Sequence, residues 1–333
     1  MIITRTPFRF TLGGGGTDLP AYYEKRGGFI LAASIDKYLY INVNRPIVDD
    51  LIRIKYSLSE TVERRDEVRH DIAREAMAMM GIENALEIVS MADVPAGTGL
   101  GSSSCYAVGL LHALSHLKRE YMPLQTLAER ACELEIVRLR KPIGKQDQYM
   151  AAFGGIRVLD IAPDGRVAVR NARVDVATLE ELNRNLLAFY TRTSRNADEI
   201  LQTQSRAARE QENRVVENLD KIKEIGFRVL EALERGDLAR IGLLFDEHWT
   251  FKKELAAGIS SAWLDQVYDT AKGSGALGGK ISGAGGGGFF LFYCERDHKK
   301  LRAAMAGMGL REMRYRFELE GTKVIADFGA GRR

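Results

Sequence analysis

Glycine is concentrated where chemistry would need bare backbone. Of the 33 glycines in this 333-residue chain, 18 fall in four places: 13–16, 27–28, 97–101 and 273–288. Holding one glycine in an ordered loop costs about 0.5–1 kcal/mol of chain entropy, so a run of four costs roughly 2–4 kcal/mol, more than a simple turn requires. Close approach of backbone to a ligand would offset that cost; a flexible surface loop is the alternative. The segment PAGTGLGSSS (95–104) has the strongest physical reading. It follows a strand-like run and opens a helix, so its N–H groups and the helix N-terminus converge on one point, a seat for an anion such as phosphate. It lacks the lysine of GxxxxGK[ST], and it has GxGxG in place of GxGxxG, which argues against a Walker A loop and a Rossmann unit. The hydroxyls of Ser102, Ser103 and Ser104 could reach a metal ion held by the same phosphates, or one of them could simply cap the helix.

Carboxylates supply the second kind of chemistry. Glu135 lies at i+4 from Ala131 and i+7 from Ala128, on an apolar stripe, whereas Glu133 shares its face with Glu129 and Arg130. A carboxylate turned inward is costly unless it is paired with a cation or a metal ion, the plain alternative to a metal being a buried ion pair with an arginine. Asp147, in GKQDQY, stands near the start of a short helix, where an aspartate serves more often as a cap than as a catalyst.

The elements that must position these groups follow from periodicity. Residues 2–12, 28–35 and 37–45 read as strands, 66–80 as a helix, and 85–91 as the strand entering the serine-rich loop. In the helix after that loop, Ala107, Leu110, Leu111, Leu114 and Leu117 make one apolar face that packs on a sheet. A helix over 124–139, a short helix after Pro142, and strands at 156–161 and 165–171 close this half. Beyond about 180 come a strand at 186–191, a polar-rich helical stretch over 195–257 and a helix at 262–272. A split βαβ tail follows, with strands at 277–282, 288–294, 310–319 and 322–328 and a helix at 296–307. The expected organisation is an α+β chain with domains at 1–180 and 181–333 and a site between them.

Composition narrows the class. Apolar residues make up 45% and charged residues 28%, as in ordinary globular chains, and 48 basic against 45 acidic side chains leave a net charge of +3. Near-neutral, interspersed charge argues against nucleic acid as a partner. No stretch approaches the ~18 apolar residues of a membrane span. Cys105, Cys132 and Cys294 form neither a disulfide framework nor a metal spacing, and the expected compartment is a reducing cytoplasm.

Together the motifs resemble those of the GHMP kinase superfamily. TPFRFTLGGGGTDLP (6–20) is similar to its first motif, PAGTGLGSSSCYAV (95–108) to its second and KISGAGGGGFFLF (280–292) to its third. The resemblance implies a two-domain fold: an N-terminal domain like the second domain of ribosomal protein S5 and a ferredoxin-like C-terminal domain, with ATP and acceptor bound between them. It assigns Pro95, Gly97, Thr98, Gly99, Leu100, Gly101, Ser102, Ser103 and Ser104 to the ATP phosphates, and Glu135 with Ser103, or alternatively Ser104, to Mg²⁺. Asp147 would face the acceptor hydroxyl with Arg9 beside it. Gly14, Gly15, Gly16, Thr17, Asp18, Gly285 and Gly286 would serve the acceptor, with Asp18 gripping sugar hydroxyls.

Within the superfamily, GGGGTDLPAYYEKRGG, KPIGKQDQYMAAFGG and FYTRTSRNADEILQTQ look most like the bacterial D-glycero-α-D-manno-heptose 7-phosphate kinases, and fucokinase-like domains share several features. That likeness implies transfer to the anomeric hydroxyl of a sugar phosphate, giving a 1,7-bisphosphate for GDP-heptose and surface polysaccharide. Arg195 is then the first candidate for the acceptor phosphate and Arg192 a weaker one, at a place where the likeness leads one to expect glycine. The partners expected are a small sugar phosphate and a second copy of the chain, with no nucleic acid and no membrane. Asp147, Glu135 and Ser103 are all present, which argues against a catalytically silent sensor of the same fold.

Overall fold

The computed structural model describes residues 1–193, 197–210 and 213–329. Its first sheet grows from a long antiparallel pair, β1 (Ile2–Gly13) and, after the helix α1 (Pro20–Arg26), β2 (Gly28–Asn44). The runs at 28–35 and 37–45 are therefore one strand. Pairing jumps from Pro7↔Tyr38 to Phe8↔Ile35, a bulge that sets Asp36 and Lys37 outside the ladder. Pro7 sits at that irregularity, where a missing N–H is tolerated. Two short strands absent from the sequence expectation follow, β3 (Ile52–Lys55) and β4 (Ser59–Val62). The helix expected from 66 is instead a 3₁₀ turn at Arg65–Glu67 and then α2 (Asp71–Met79), because the His70 side chain caps it by accepting the Ala73 N–H. Next come β5 (Leu86–Ala92), α3 (Ser102–Leu117) and α4 (Leu124–Cys132), which continues as a π-helical turn over Glu133–Arg138. α5 (Gln146–Phe153), β6 (Ile156–Ile161), β7 (Val167–Asn171) and α6 (Val176–Asn185) lead into β8 (Leu186–Tyr190).

The long helical stretch divides into α7 (Ala197–Arg209), α8 (Asn213–Glu234) and α9 (Leu238–Lys253), then come α10 (Ala262–Gly273), β9 (Gly278–Ile281) and β10 (Phe289–Tyr293). α11 (His298–Gly307), β11 (Arg311–Met313) and β12 (Lys323–Asp327) complete the described chain. The first sheet runs β12-β1-β2-β5-β3-β4, with β6 on the first half of β2 and β7 outside it; only β3 and β5 are parallel. The second sheet, β11-β8-β10-β9, is antiparallel throughout. The strand expected over 310–319 is cut to three residues because the chain crosses back: Phe317 bridges Ile35, and the Asp36 N–H donates to the Arg316 carbonyl. The strand expected at 322–328 thus forms in the first sheet, paired with β1, and no single cut in the chain separates the two sheets.

The predicted face of α3 is in the core: Ala107, Leu110, Leu111 and Leu114 are buried with Phe8, Phe10 and Ile41. That core continues through Ile225 and Val229 of α8, Phe245 of α9 and Leu291 of β10. Burying each large apolar side chain contributes roughly 1.5–3 kcal/mol. A core shared across both sheets holds the cleft walls in one relation. A second cluster gathers Trp249, Tyr268, Phe290 and Phe292 beneath the second sheet. All three cysteines are buried and free. Among the described residues no helix is long and apolar enough to cross a membrane.

Candidate active site

The loop between β5 and α3 is curled by alternation. Gly97, Gly99 and Gly101 take φ of +77°, +78° and +85°, while Thr98 and Leu100 between them keep negative φ. Alternating hands turn successive N–H groups toward one concavity, the anion-binding form of a backbone loop. Gly99 meets the other glycine loop directly: a Cβ there would lie 2.5 Å from the Ser282 carbonyl oxygen, and one on Gly283 would lie 2.7 Å from the Gly99 Cα. The loop opens on a cleft of about 920 Å³ whose walls include Tyr56, His70 and Tyr106. His70 stacks on Tyr106 with ring centroids 4.5 Å apart, and burial holds its imidazole below the ordinary value.

The serines do not cap α3. Its N-cap is Gly101, without a side-chain bond; Ser103 and Ser104 turn instead to the carboxylate of Glu135. Ser104 Oγ donates over 2.6 Å and Gln148 Nε2 over 2.7 Å, and Lys141 Nζ lies 3.9 Å from Glu135 Oε1. Glu135 is fully buried in the π-helical turn, a distortion frequent at functional sites, whereas Glu133 reaches Arg138 at the surface. Burial pushes the Glu135 carboxyl above its ordinary value, and the serines, Lys141 and Gln148 pull it back. Ser102 Oγ is buried without a partner at the mouth of the loop.

Asp147 is not a cap either. The N-cap of α5 is Lys145, without a side-chain bond, and the Asp147 carboxylate faces the buried Arg9, whose Nε and Nη2 lie 2.7 and 2.5 Å from Oδ1. Arg9 Nη1 also donates to the Gly99 carbonyl over 2.7 Å, tying the pair to the glycine loop. On its other side the pair lines a smaller cavity of about 80 Å³ with Gly15, Gly16 and Asp18. Asp18 is 1% exposed and accepts from the Gln146 N–H, from Gln146 Nε2 and from the Gly16 N–H over 3.1–3.2 Å. Burial raises its carboxyl above the ordinary value, the Gln146 amide lowers it, and the charge of Asp147 raises it further.

The structure therefore brings together Arg9, Gly15, Gly16, Asp18, the glycine loop at 97–101, the three serines, Glu135 and Asp147. Thr17 and Gly14 lie behind the cavity: the Thr17 hydroxyl is occupied by the Gly14 and Phe29 carbonyls and the Phe29 N–H. Gly285 and Gly286 pack on Ile259 instead of lining the cavity. Arg195 falls outside the described residues. Arg192 is exposed and left-handed at φ +56°, which accounts for a glycine being expected there. Gln146, which Thr11 also contacts over 2.5 Å, and His248, Lys252 and Lys280, which line the same cavity, have no role in the sequence reading, although Gln146 and Lys280 stand inside the segments KPIGKQDQYMAAFGG and KISGAGGGGFFLF. Periodicity could have found two of them: Ile241, Phe245, His248 and Lys252 stand at i, i+4, i+7 and i+11, so a histidine and a lysine interrupt an apolar stripe.

A family model for the N-terminal domain of GHMP kinases matches residues 68–155, and one for their C-terminal domain matches 229–309, together half of the chain. The chain is 29% identical over 309 residues to the D-glycero-alpha-D-manno-heptose 7-phosphate kinase of Campylobacter jejuni subsp. jejuni serotype O:2, covering 90% of this chain and 91% of that one. It is 26% identical over 317 residues to the bifunctional fucokinase/GDP-fucose pyrophosphorylase of Arabidopsis thaliana, covering 88% of this chain and 30% of that one. A crystal structure described as a D-glycero-D-manno-heptose 1-phosphate kinase from Bacteriodes thetaiotaomicron superposes with a TM-score of 0.80 at 24% identity, over 99% of this chain and 100% of that one, and so shares the fold.

Proposed function

We infer, for a chain that belongs to the GHMP kinase family and is therefore a small-molecule kinase, that it transfers the terminal phosphoryl group of ATP to the anomeric hydroxyl of a sugar phosphate. D-glycero-D-manno-heptose 7-phosphate is the acceptor we propose, and the 1,7-bisphosphate the product. One observation carries this reading: the large cleft at the phosphate loop and the small cavity at Asp18 share Arg9 and Asp147 as a common wall. A donor phosphate on one side and an acceptor hydroxyl on the other would meet at that pair.

Phosphoryl transfer asks the protein for positioning and charge stabilisation more than for covalent chemistry. The loop N–H groups would cradle the donor phosphates, and Asp18 would fix the sugar through its hydroxyls. The anomeric O–H gives its proton to an Asp147 carboxylate oxygen as its oxygen attacks the terminal phosphorus, and the bond to the ADP oxygen breaks. Arg9 orients Asp147 and balances its charge.

Mg²⁺ fits the residues present. Glu135 is a buried carboxylate whose oxygens are met by serine hydroxyls at the edge of the phosphate loop, and magnesium sites commonly combine one or two carboxylates with substrate phosphates and water. Among the described residues no group of three or more histidine, cysteine or acidic side chains could form an all-protein cage. Ser103 and Glu135 would hold the ion, which would neutralise phosphate charge.

ADP release in the presence of ATP and Mg²⁺ against heptose 7-phosphate, sedoheptulose 7-phosphate, mannose 6-phosphate, fucose, galactose and mevalonate tests the acceptor. Turnover confined to heptose 7-phosphate is expected. Preference for fucose would favour the second reading, a kinase for an unphosphorylated sugar, which the 26% identity to a fucokinase supports.

A further inference from the structure

The acceptor cavity has a wall to which the motif resemblance assigns no role, although Lys280 opens the third motif. α9 supplies His248 and, one turn on, Lys252; β9 supplies Lys280; all three are buried. Among the described residues neither ammonium has a carboxylate within ion-pair distance. Lys252 Nζ donates to the Ile281 and Gly283 carbonyls over 2.8 and 2.6 Å, and Lys280 Nζ donates to the Leu12 carbonyl over 3.2 Å and lies 5.2 Å from the centre of the Phe245 ring. An ammonium has three donors, so Lys252 keeps one unused and Lys280 two. Both ring nitrogens of His248 and the Gln204 side-chain nitrogen are likewise buried without a partner, and both residues line this cavity.

The acids of the cavity do not answer these cations. Asp147 is taken by Arg9, and the Asp18 oxygens by Gln146 and Gly16. Burying cations without a counter-charge costs several kcal/mol per ion, and the strain resolves either by loss of the proton or by arrival of an anion. Burial pushes Lys252 down to about 7, helped by the charge of Arg9, and pushes Lys280 and His248 well below their ordinary values.

We propose that Lys252, Lys280 and His248 form the seat for the acceptor's own phosphate. The proposal rests on the sugar-phosphate reading above. In it the two ammoniums pair with the phosphate oxygens and the imidazole donates one N–H, so that a bound phosphate ester supplies the charge the pocket lacks. An unphosphorylated sugar would leave the cations buried and unpaired.

The test compares kcat/KM for heptose 7-phosphate and for the same heptose without its phosphate, using the full chain at saturating ATP. Wild type is expected to prefer the phosphorylated acceptor by about 100-fold or more. In Lys280→Met and Lys252→Met that preference collapses to below about tenfold, through a rise in KM for heptose 7-phosphate and not through kcat. His248→Gln, which removes the ring and not a charge, loses about tenfold of the preference and decides the matter if the methionine variants do not fold. If wild type prefers the phosphorylated sugar while every variant loses both acceptors in equal proportion, these side chains only support the glycine loop and the seat is overturned, with the sugar-phosphate reading intact. If wild type shows no preference, that reading falls and the seat falls with it.

Discussion

The two sides of the Arg9–Asp147 pair are opposite in sign and alike in logic. On the donor side a buried carboxylate, Glu135, is met by hydroxyls and raised by burial; on the acceptor side buried amines, Lys252 and Lys280, are met by carbonyls and lowered by burial. In each, desolvation opposes the charged form, and a ligand of opposite charge would restore it: the cation proposed at Glu135 and the anion proposed at the lysines. They differ in how they are assembled. The Glu135 cluster, with Ser103, Ser104, Lys141 and Gln148, comes from the stretch between Ser103 and Gln148, whereas the acceptor side draws on β1, the loop after it, α5, α7, α9 and β9. A cluster made from one stretch of chain leaves a motif; a site made from many elements leaves isolated residues.

The sharpest break of that comparison is at the shared wall. Asp147→Asn should lower kcat by about 100-fold or more while ATP still binds, measured by steady-state turnover beside a nucleotide titration. Turnover within tenfold of wild type would remove Asp147 from proton transfer. Glu135→Gln acts on the donor side alone and should raise the Mg²⁺ concentration for half-maximal rate by roughly tenfold or more, leaving KM for the sugar in place; an unchanged Mg²⁺ titration would refute the ligand role. Gly99→Ala strikes where the two sides touch, forcing a Cβ against the Ser282 carbonyl at a left-handed φ. It should cost about 1–3 kcal/mol in urea unfolding and raise KM for both substrates.

The acceptor side alone should give an alkaline signature. Lys252 titrates near 7 in the folded chain and near 10.5 unfolded, so between those values the unfolded chain binds the extra proton and stability rises with pH. The slope from this group is about 1.4 kcal/mol per pH unit, and Lys252→Met should remove it from urea unfolding between pH 7 and 9. Glu135 acts in the other direction, since a raised carboxyl loses its contribution as pH rises through the folded value. The smallest effect expected lies outside both regions: Arg192→Gly relieves a left-handed backbone worth about 1–2 kcal/mol but adds about 0.5–1 kcal/mol of chain entropy, a net gain of roughly 0.5 kcal/mol in thermal unfolding.

The sequence by itself determined the curled glycine loop at 97–101, the apolar face of α3 and the inward turn of Glu135, because each depends on neighbours within a few turns of the same segment. It also carried the family's three motifs, and with them Arg9, Asp18 and Asp147. Tertiary structure decided the rest. Asp147 reads locally as a cap, and only the arrival of Arg9 from β1, 138 residues away in sequence, makes it an ion pair facing two cavities. The segment at 310–319 alternates like a strand, yet it leaves the second sheet because Asp36 and Ile35 at the β2 bulge hold it. His248 and Lys252 look like flaws in an apolar stripe until β9 places Lys280 beside the same cavity. Hydrogen-bond partners and desolvation are properties of the enclosed space, and a chain acquires them only when its distant elements close around it.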